Sequence, residues 1–318
     1  MWLSAKEVFM PANNGRRNPF LTAPSLVLFV FLFLGIAGLI PVGSASENTA
    51  YVIVLILAVC IFGVPTAAFF SIRGGGAVRR FGFSSLSKNK WLLSLACGLV
   101  MSFQSAALDC APGAETYDYT AYRLYGSAFD NTPDSFGSFI LILFALVIVP
   151  SVLEEVFFRG ILVYEYRFGG VIPVAVITAS LYAMSTFSFA SFPKFFVNGV
   201  MLALVSFLTG NLFCAMLSHG LYALFAVFAE KYFWFVSTES ESRFLFWLIL
   251  LSLLLVSLLL FLHFAEKTLR NRAEIEDELP VRVPKGKLFI VLYDMITAPM
   301  LGADMLCFVI FALLNLFL

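Results

Sequence analysis

The chain has 318 residues, 61% of them hydrophobic and only 13% charged, and its 20 Lys and Arg balance its 20 Asp and Glu. With 37 phenylalanines and a mean hydropathy of +0.94, this is not the composition of a soluble domain. A formal net charge of zero offers nothing to a polyanion, so no nucleic-acid partner is expected.

Lipid accepts only helices or closed barrels as spanning structures. Barrel strands would alternate apolar and polar residues, whereas this chain shows unbroken apolar runs. The expectation is an all-α polytopic transmembrane helical bundle, with membrane lipid as the partner of its outer surface. Residues 1–23 are mixed in character and net basic, with Lys6, Arg16 and Arg17. They read as a cytoplasmic amino-terminal tail. The first apolar run covers 24–40. Val42-Gly-Ser-Ala45 after it has the look of a signal-peptidase site, but the leader is long and many spans follow, so a retained first helix is expected.

Further spans are predicted at 50–71, 91–107, 136–158, 170–192, 193–209, 211–235, 243–264 and 288–317, about nine in all. The last run is too long for one simple span, and Pro299, Gly302 and Asp304 predict a break, with an interfacial segment followed by the true span. Of the five cysteines, Cys60, Cys97, Cys214 and Cys307 lie in apolar runs without CxxC spacing and read as small buried residues. Cys110 is alone in a polar loop, so no disulfide framework is evident.

Lys and Arg in short loops set topology. Loop 72–90 carries Arg73, Arg79, Arg80, Lys88 and Lys90, and loop 265–287 carries Lys267, Arg270, Arg272, Arg282, Lys285 and Lys287. Loop 108–135 carries Asp109, Glu115, Asp118, Asp130 and Asp134 against Arg123 alone. A cytoplasmic amino terminus places both basic loops inside and the acidic loop outside. Four segments follow: the tail 1–23, amino-terminal helices over 24–135, a core over 136–236, and carboxyl-terminal helices over 237–318. Gly74-Gly75-Gly76 lacks Walker-type context and reads as a loop.

The chemistry concentrates at Glu154-Glu-Val-Phe-Phe-Arg-Gly160, where three ionisable side chains enter an apolar run. A charge at the centre of a spanning helix costs roughly 2.5–3.5 kcal/mol on insertion scales, so such groups pair with one another or line a watery cavity. Glu155 and Arg159 are four apart and can pair on one helix face. Glu154 points about 100° away, leaving a second carboxylate to act as a general base. The same spacing also suits a purely structural ion pair at the cytoplasmic end of the span. His219 lies near the middle of the run 211–235, where an imidazole serves as a ligand, a proton carrier or a hydrogen-bond partner between helices. His263 lies at a span end beside the basic loop, a place for interfacial solvation.

These residues carry a family resemblance. Glu154-Glu155-Val-Phe-Phe-Arg159-Gly160 resembles the first motif, EExxxR, of the CPBP family (CAAX prenyl endopeptidase and bacteriocin-processing, also called Abi). Ser180-Leu-Tyr-Ala-Met-Ser-Thr186 is similar to the segment holding its second motif, FxxxH. Leu208-Thr-Gly-Asn-Leu212 and His219 resemble the approach to its third, HxxxN/D, and the resemblance covers about residues 140–230. It implies a CPBP-like core and an intramembrane endopeptidase acting on membrane-associated peptides or proteins. Glu154 would then activate water, Arg159 would partner Glu155, and His219 would be the surviving third-motif ligand. It also implies a zinc site, for which Glu154 and His219 are the candidate ligands.

Two departures accompany the resemblance. Thr186 stands where the family has its second histidine and is a poor zinc ligand. Ala223 stands where the family has Asn or Asp and offers an oxyanion no hydrogen bond. Ser185, Ser218, Tyr182 and Tyr222 are nearby hydroxyls. The residues therefore point to a peptidase relative with an eroded site, in an integral membrane protein expected in a prokaryotic plasma membrane. The alternative is a catalytically inactive scaffold or binding protein with the same fold. A solute transporter would show inverted repeats or paired broken helices, and neither is evident beyond the break at Pro299.

Overall fold

Long apolar runs punctuated by Pro, Gly and polar clusters leave the backbone one way to satisfy its hydrogen bonds in lipid, which is within each helix. The structure, a computed structural model, describes residues 19–40, 46–73, 86–112, 133–166, 170–239, 242–273, 296 and 298–317, and every regular element among them is helical. The loops that carry most of the topology signal, the Gly74–Gly76 run, the Val42–Ala45 stretch and residues 288–295 of the last run lie largely or wholly outside those residues.

In chain order, α1 is Pro19–Gly38, and α2 joins Glu47–Ala58 to Val64–Arg73 through a π-helical turn at Val59–Gly63. Next come α3, Lys88–Asp109, and α4, Phe136–Tyr166, which contains π-helical turns at Leu143–Ile148 and Val156–Leu162. The rest are α5 Val171–Met184, α6 Phe192–Thr209, α7 Leu212–Phe228, α8 Glu230–Glu239, α9 Arg243–Ala273 and α10 Pro299–Phe317. Among the described residues five helices are long and apolar enough to cross a membrane, or six if α7 and α8, bent by 46°, form one broken span. Helices α1, α5 and α10 are apolar but shorter.

Several boundaries differ from the sequence reading. Helix α4 runs on to Tyr166, past the expected end at 158. Glu154 and Glu155 are therefore interior to a helix of 31 residues rather than at its end. The expected span 170–192 stops at Met184, and a turn bearing Thr186 leads to α6, with Phe187 at φ 49°. The side-chain amide of Asn315 on α10 donates to the Phe187 carbonyl at 3.3 Å, bracing that turn. Pro299 begins α10, which then continues unbroken through Gly302 and Asp304.

Local chemistry explains the sharper joints. Ser87 caps α3 by accepting from the Lys90 N–H. Gly210, in the left-handed conformation at φ 59°, ends α6, and Asn211 caps α7 by accepting from the Phe213 N–H. This tight turn makes α6 and α7 antiparallel neighbours. The buried core runs between α1, α3, α4, α5, α6 and α7, with Phe31, Leu93, Phe157, Phe158, Tyr182 and Leu202 among its members. Facing outward on α9 are Leu245, Ile249, Val256 and Leu259, each at least half exposed. Such a surface is solvated by lipid tails and not by water, and the chain is an integral membrane protein.

At Gly199 of α6 the helices approach closely. A Cβ there would lie 2.8 Å from the Ala179 Cα on α5, a contact that only glycine avoids. A Cβ at Gly302 of α10 would meet nothing within 4 Å. Gly199→Ala is expected to lower unfolding stability in mild detergent by about 1–3 kcal/mol through overpacking. Gly302→Ala is expected to leave it unchanged or raise it by up to about 1 kcal/mol through helix propensity. Thermal unfolding of the two variants beside the parent checks both signs.

Candidate functional site

Four helices converge on one carboxylate. Glu155 of α4 is fully buried, and its Oε1 accepts from Arg159 Nη1 at 3.1 Å and contacts His219 Nδ1 of α7 at 2.9 Å. The i,i+4 pair expected from the sequence is thus present. Glu155 is a carboxylate that meets the histidine. Glu154 is also buried, at 5% exposure. Both glutamates end the regular α-helical turn that leads into the π-helical turn bearing Arg159, a local geometry frequent at functional sites.

Arg159 is held from three sides. Its Nη2 donates to the Gly199 carbonyl of α6 at 3.0 Å. Its guanidinium lies 4.4 Å from the centre of the Tyr182 ring, a cation–π contact strengthened by burial. Tyr182 of α5 turns its other end to the histidine, with its hydroxyl 3.4 Å from His219 Nε2. An ionised carboxylate only accepts, so Nδ1 of His219 carries the proton toward Glu155. In the neutral ring Nε2 is then the lone-pair nitrogen, and Tyr182 donates to it. A carboxylate behind one imidazole nitrogen orients the other for chemistry.

The network is not saturated. Glu155 Oε2, Arg159 Nε and Ser151 Oγ, one turn before Glu155, are buried without a hydrogen-bond partner. Buried polar groups in proteins are nearly always satisfied, by ordered water where protein does not reach.

The other sequence candidates fall differently. Thr186 donates to the Ala183 carbonyl at 2.8 Å, capping its own helix end. Ala223 packs beside an apolar cluster that includes Val54, Ile142, Ala145 and Val227. Ser218 donates to the Ser94 and Cys214 carbonyls, and Ser185 to the Tyr182 carbonyl. His263 stacks edge-on with Phe264, far along α9.

A catalytic zinc takes three protein ligands and leaves one position for water. Among the described residues no three His, Cys, Asp or Glu side chains come together to hold a metal. Both ring nitrogens of His219 are engaged, and Thr186 brings no imidazole. The residues present do not fit a three-ligand zinc centre.

A second charged cluster escaped the sequence reading. Lys194 of α6 lies 2.7 Å from Asp109 at the end of α3 and 3.4 Å from Glu230 at the start of α8. Ser105 of α3 donates a hydrogen bond to Glu230. All four side chains are buried. The rule that singled out Glu154, that charge in an apolar run needs a reason, applies equally to Lys194 and Glu230. The cluster ties α3, α6 and α8 together at the 46° bend after α7.

Residues 136–225 match the family model described as Rce1-like, type II CAAX prenyl endopeptidase Rce1-like. No curated protein matches the chain, and no solved structure does. The matched stretch contains Glu155, Arg159, Tyr182, Gly199 and His219, and so the whole of the buried network.

Removing the guanidinium leaves Glu155 buried with an uncompensated charge. Arg159→Ala is expected to cost about 3–5 kcal/mol of unfolding stability. The double variant Glu155→Gln/Arg159→Met is expected to recover part of that loss, because it removes both charges together. Chemical or thermal unfolding in detergent measures the difference.

Proposed function

We propose, from the match of residues 136–225 to the Rce1-like family model, that the chain is a CPBP-family intramembrane endopeptidase that hydrolyses a peptide bond of membrane-associated peptides or proteins. A prokaryotic plasma membrane and a cytoplasmic amino terminus belong to the same proposal. The observation that carries it is the buried Arg159–Glu155–His219 network, assembled in family order from helices far apart in sequence.

In this reading Glu154 takes a proton from water while the water oxygen attacks the scissile carbonyl carbon. The carbonyl π electrons move to oxygen, and collapse of the tetrahedral intermediate expels the amine, which receives the proton. Arg159 and His219 hold Glu155 in place, so the two adjacent carboxylates keep separate tasks. Tyr182, hydrogen-bonded to Nε2, holds the imidazole in place against Glu155. Zinc enters no step, since the donor set does not suit it.

One observation favours a second reading. The Thr186 hydroxyl is taken up by Ala183, and Ala223 faces apolar neighbours, so neither position offers the polar group that the family places there. A catalytically silent membrane scaffold would keep the same fold and the same ion pair.

Both readings are separable with a labelled prenylated CAAX-type peptide in proteoliposomes. On the peptidase reading the parent cleaves it, and Glu154→Gln lowers the rate by about 10²–10⁴-fold, the usual range for a general base. On the scaffold reading the parent is silent, and Thr186→His/Ala223→Asn gains bound metal and turnover. Cleavage that is untouched by Glu154→Gln sinks the assignment of Glu154.

A further inference from the structure

The seam between α4 and α7 can be followed residue by residue. His219 of α7 meets Glu155 of α4, Nδ1 to Oε1, at 2.9 Å. One turn further along α7, Ala223 packs beside Ile142 and Ala145 of α4, so the two helices run antiparallel. Between these contacts lies Gly220, where the seam is not filled. Among the described residues, and with the backbone of α7 set aside, a Cβ built on Gly220 would find only Ser151 Oγ within 4 Å, at 3.9 Å. Gly220 is partly exposed, so this part of the seam reaches the surface of the bundle. Ser151 itself is buried at 2% exposure, and its hydroxyl has no hydrogen-bond partner. Ser94, Ser102, Thr178 and Thr209 each spend their hydroxyl on the carbonyl four residues earlier, the common habit of a hydroxyl inside a helix. For Ser151 that carbonyl belongs to Val147, within the π-helical turn Leu143–Ile148, and no such bond forms.

Helix geometry relates that hydroxyl to the two carboxylates. Ser151, Glu154 and Glu155 share the regular turns of Val149–Glu155. Ser151 therefore projects between the directions of the two glutamates, about 60° from Glu154 and about 40° from Glu155. Side chains on a helix lean toward its amino terminus, so both glutamates lean back over the turn that carries Ser151. Glu155 Oε1 is committed to Arg159 and His219, while Oε2 is buried without a partner. A buried water needs room for one small molecule and at least two polar partners. The seam at Gly220 supplies the room, and Ser151 Oγ and Glu155 Oε2 supply two partners. We propose that the seam at Gly220 holds a water between the Ser151 hydroxyl and the second oxygen of Glu155, and that this is the water consumed in hydrolysis. Its proton passes to Glu154 as its oxygen attacks the scissile carbonyl carbon. Ser151 is thus a positioning residue, acting through the water and touching no substrate. The inference rests on the peptidase reading and adds to it the residue that places the nucleophile.

The test uses the full chain in proteoliposomes with the labelled prenylated CAAX-type peptide, and adds X-ray hydroxyl-radical footprinting, which needs no turnover. Radiolysis oxidises side chains beside bound water, and His219 is the oxidisable neighbour of Gly220. Gly220→Ala puts a methyl group into the seam at ordinary contact distance and favours the helix, so its Tm is expected to match or exceed the parent's. In that variant His219 oxidation is expected to fall about threefold or more, and kcat about tenfold or more with KM little changed. Ser151→Thr and Ser151→Val have nearly the same shape and differ in the hydroxyl. At similar Tm the first is expected to exceed the second in kcat about tenfold or more, a difference that a packing role does not produce. Equal His219 oxidation in the parent and Gly220→Ala overturns the water site. Equal kcat for Ser151→Thr and Ser151→Val overturns the role of Ser151 and leaves the peptidase reading standing. A parent that is oxidised at His219 but cleaves no peptide overturns the peptidase reading, and the hydrolytic role with it, while the water site stands.

Discussion

The carboxylate of Glu155 is the constraint on which the rest of the site depends. A buried charge in a lipid-embedded bundle persists only where it is compensated, and this one is compensated from two directions by Arg159 and His219 on a single oxygen. That demand propagates outward. Arg159 must remain within reach of Glu155, so its other nitrogen is anchored on the Gly199 carbonyl. The carbonyl is reachable because α5 and α6 touch at Gly199 and Ala179. Tyr182 then fills the space over the guanidinium and closes the ring at the imidazole. Each of the helices α4 to α7 thereby contributes one indispensable contact.

Around this centre the bundle uses two kinds of cohesion. Apolar packing between α1, α3 and α4 to α7 is dense in aromatic rings; Phe157 and Phe158 meet edge-on at 5.2 Å, and Phe158 meets Tyr182 at 5.3 Å. Such contacts supply shape rather than a hydrophobic drive, since lipid tails are as apolar as the core. Among the described residues, charged cohesion between helices lies in the Glu155 network and the Lys194 cluster, with single hydrogen bonds such as Trp247 to the Ala107 carbonyl and Ser218 to the Ser94 carbonyl joining other helix pairs. Directional contacts of this type fix which helix faces meet. The two clusters share α6 as a common wall, Lys194 serving one and the Gly199 carbonyl the other.

The departures from the family pattern acquire a physical meaning in this setting. Thr186 sits in a turn and spends its hydroxyl on its own backbone, while Ala223 completes an apolar contact with α2 and α4. Neither position is strained by the residue it carries.

Much was legible in the sequence because it depends on spacing along one chain. The apolar runs determined an all-helical membrane protein, the i,i+4 interval determined the Glu155–Arg159 pair, and the order of the three segments carried a family resemblance that the family-model match over residues 136–225 supports. The end of α4 was misjudged because hydropathy falls at Glu154 while the helix continues, its Glu155–Arg159 pair being completed by His219 of α7 and the Gly199 carbonyl of α6. That Glu155 meets His219, why Gly199 is glycine, and why Tyr182 belongs to the site were decided only by the tertiary structure. So was the Lys194 cluster, whose members lie 85 residues apart in one of its bonds. The physical reason is range. A helix dictates its own neighbours one turn away, but the partner of a buried charge across the bundle is chosen by how the helices pack, and no local pattern encodes that register.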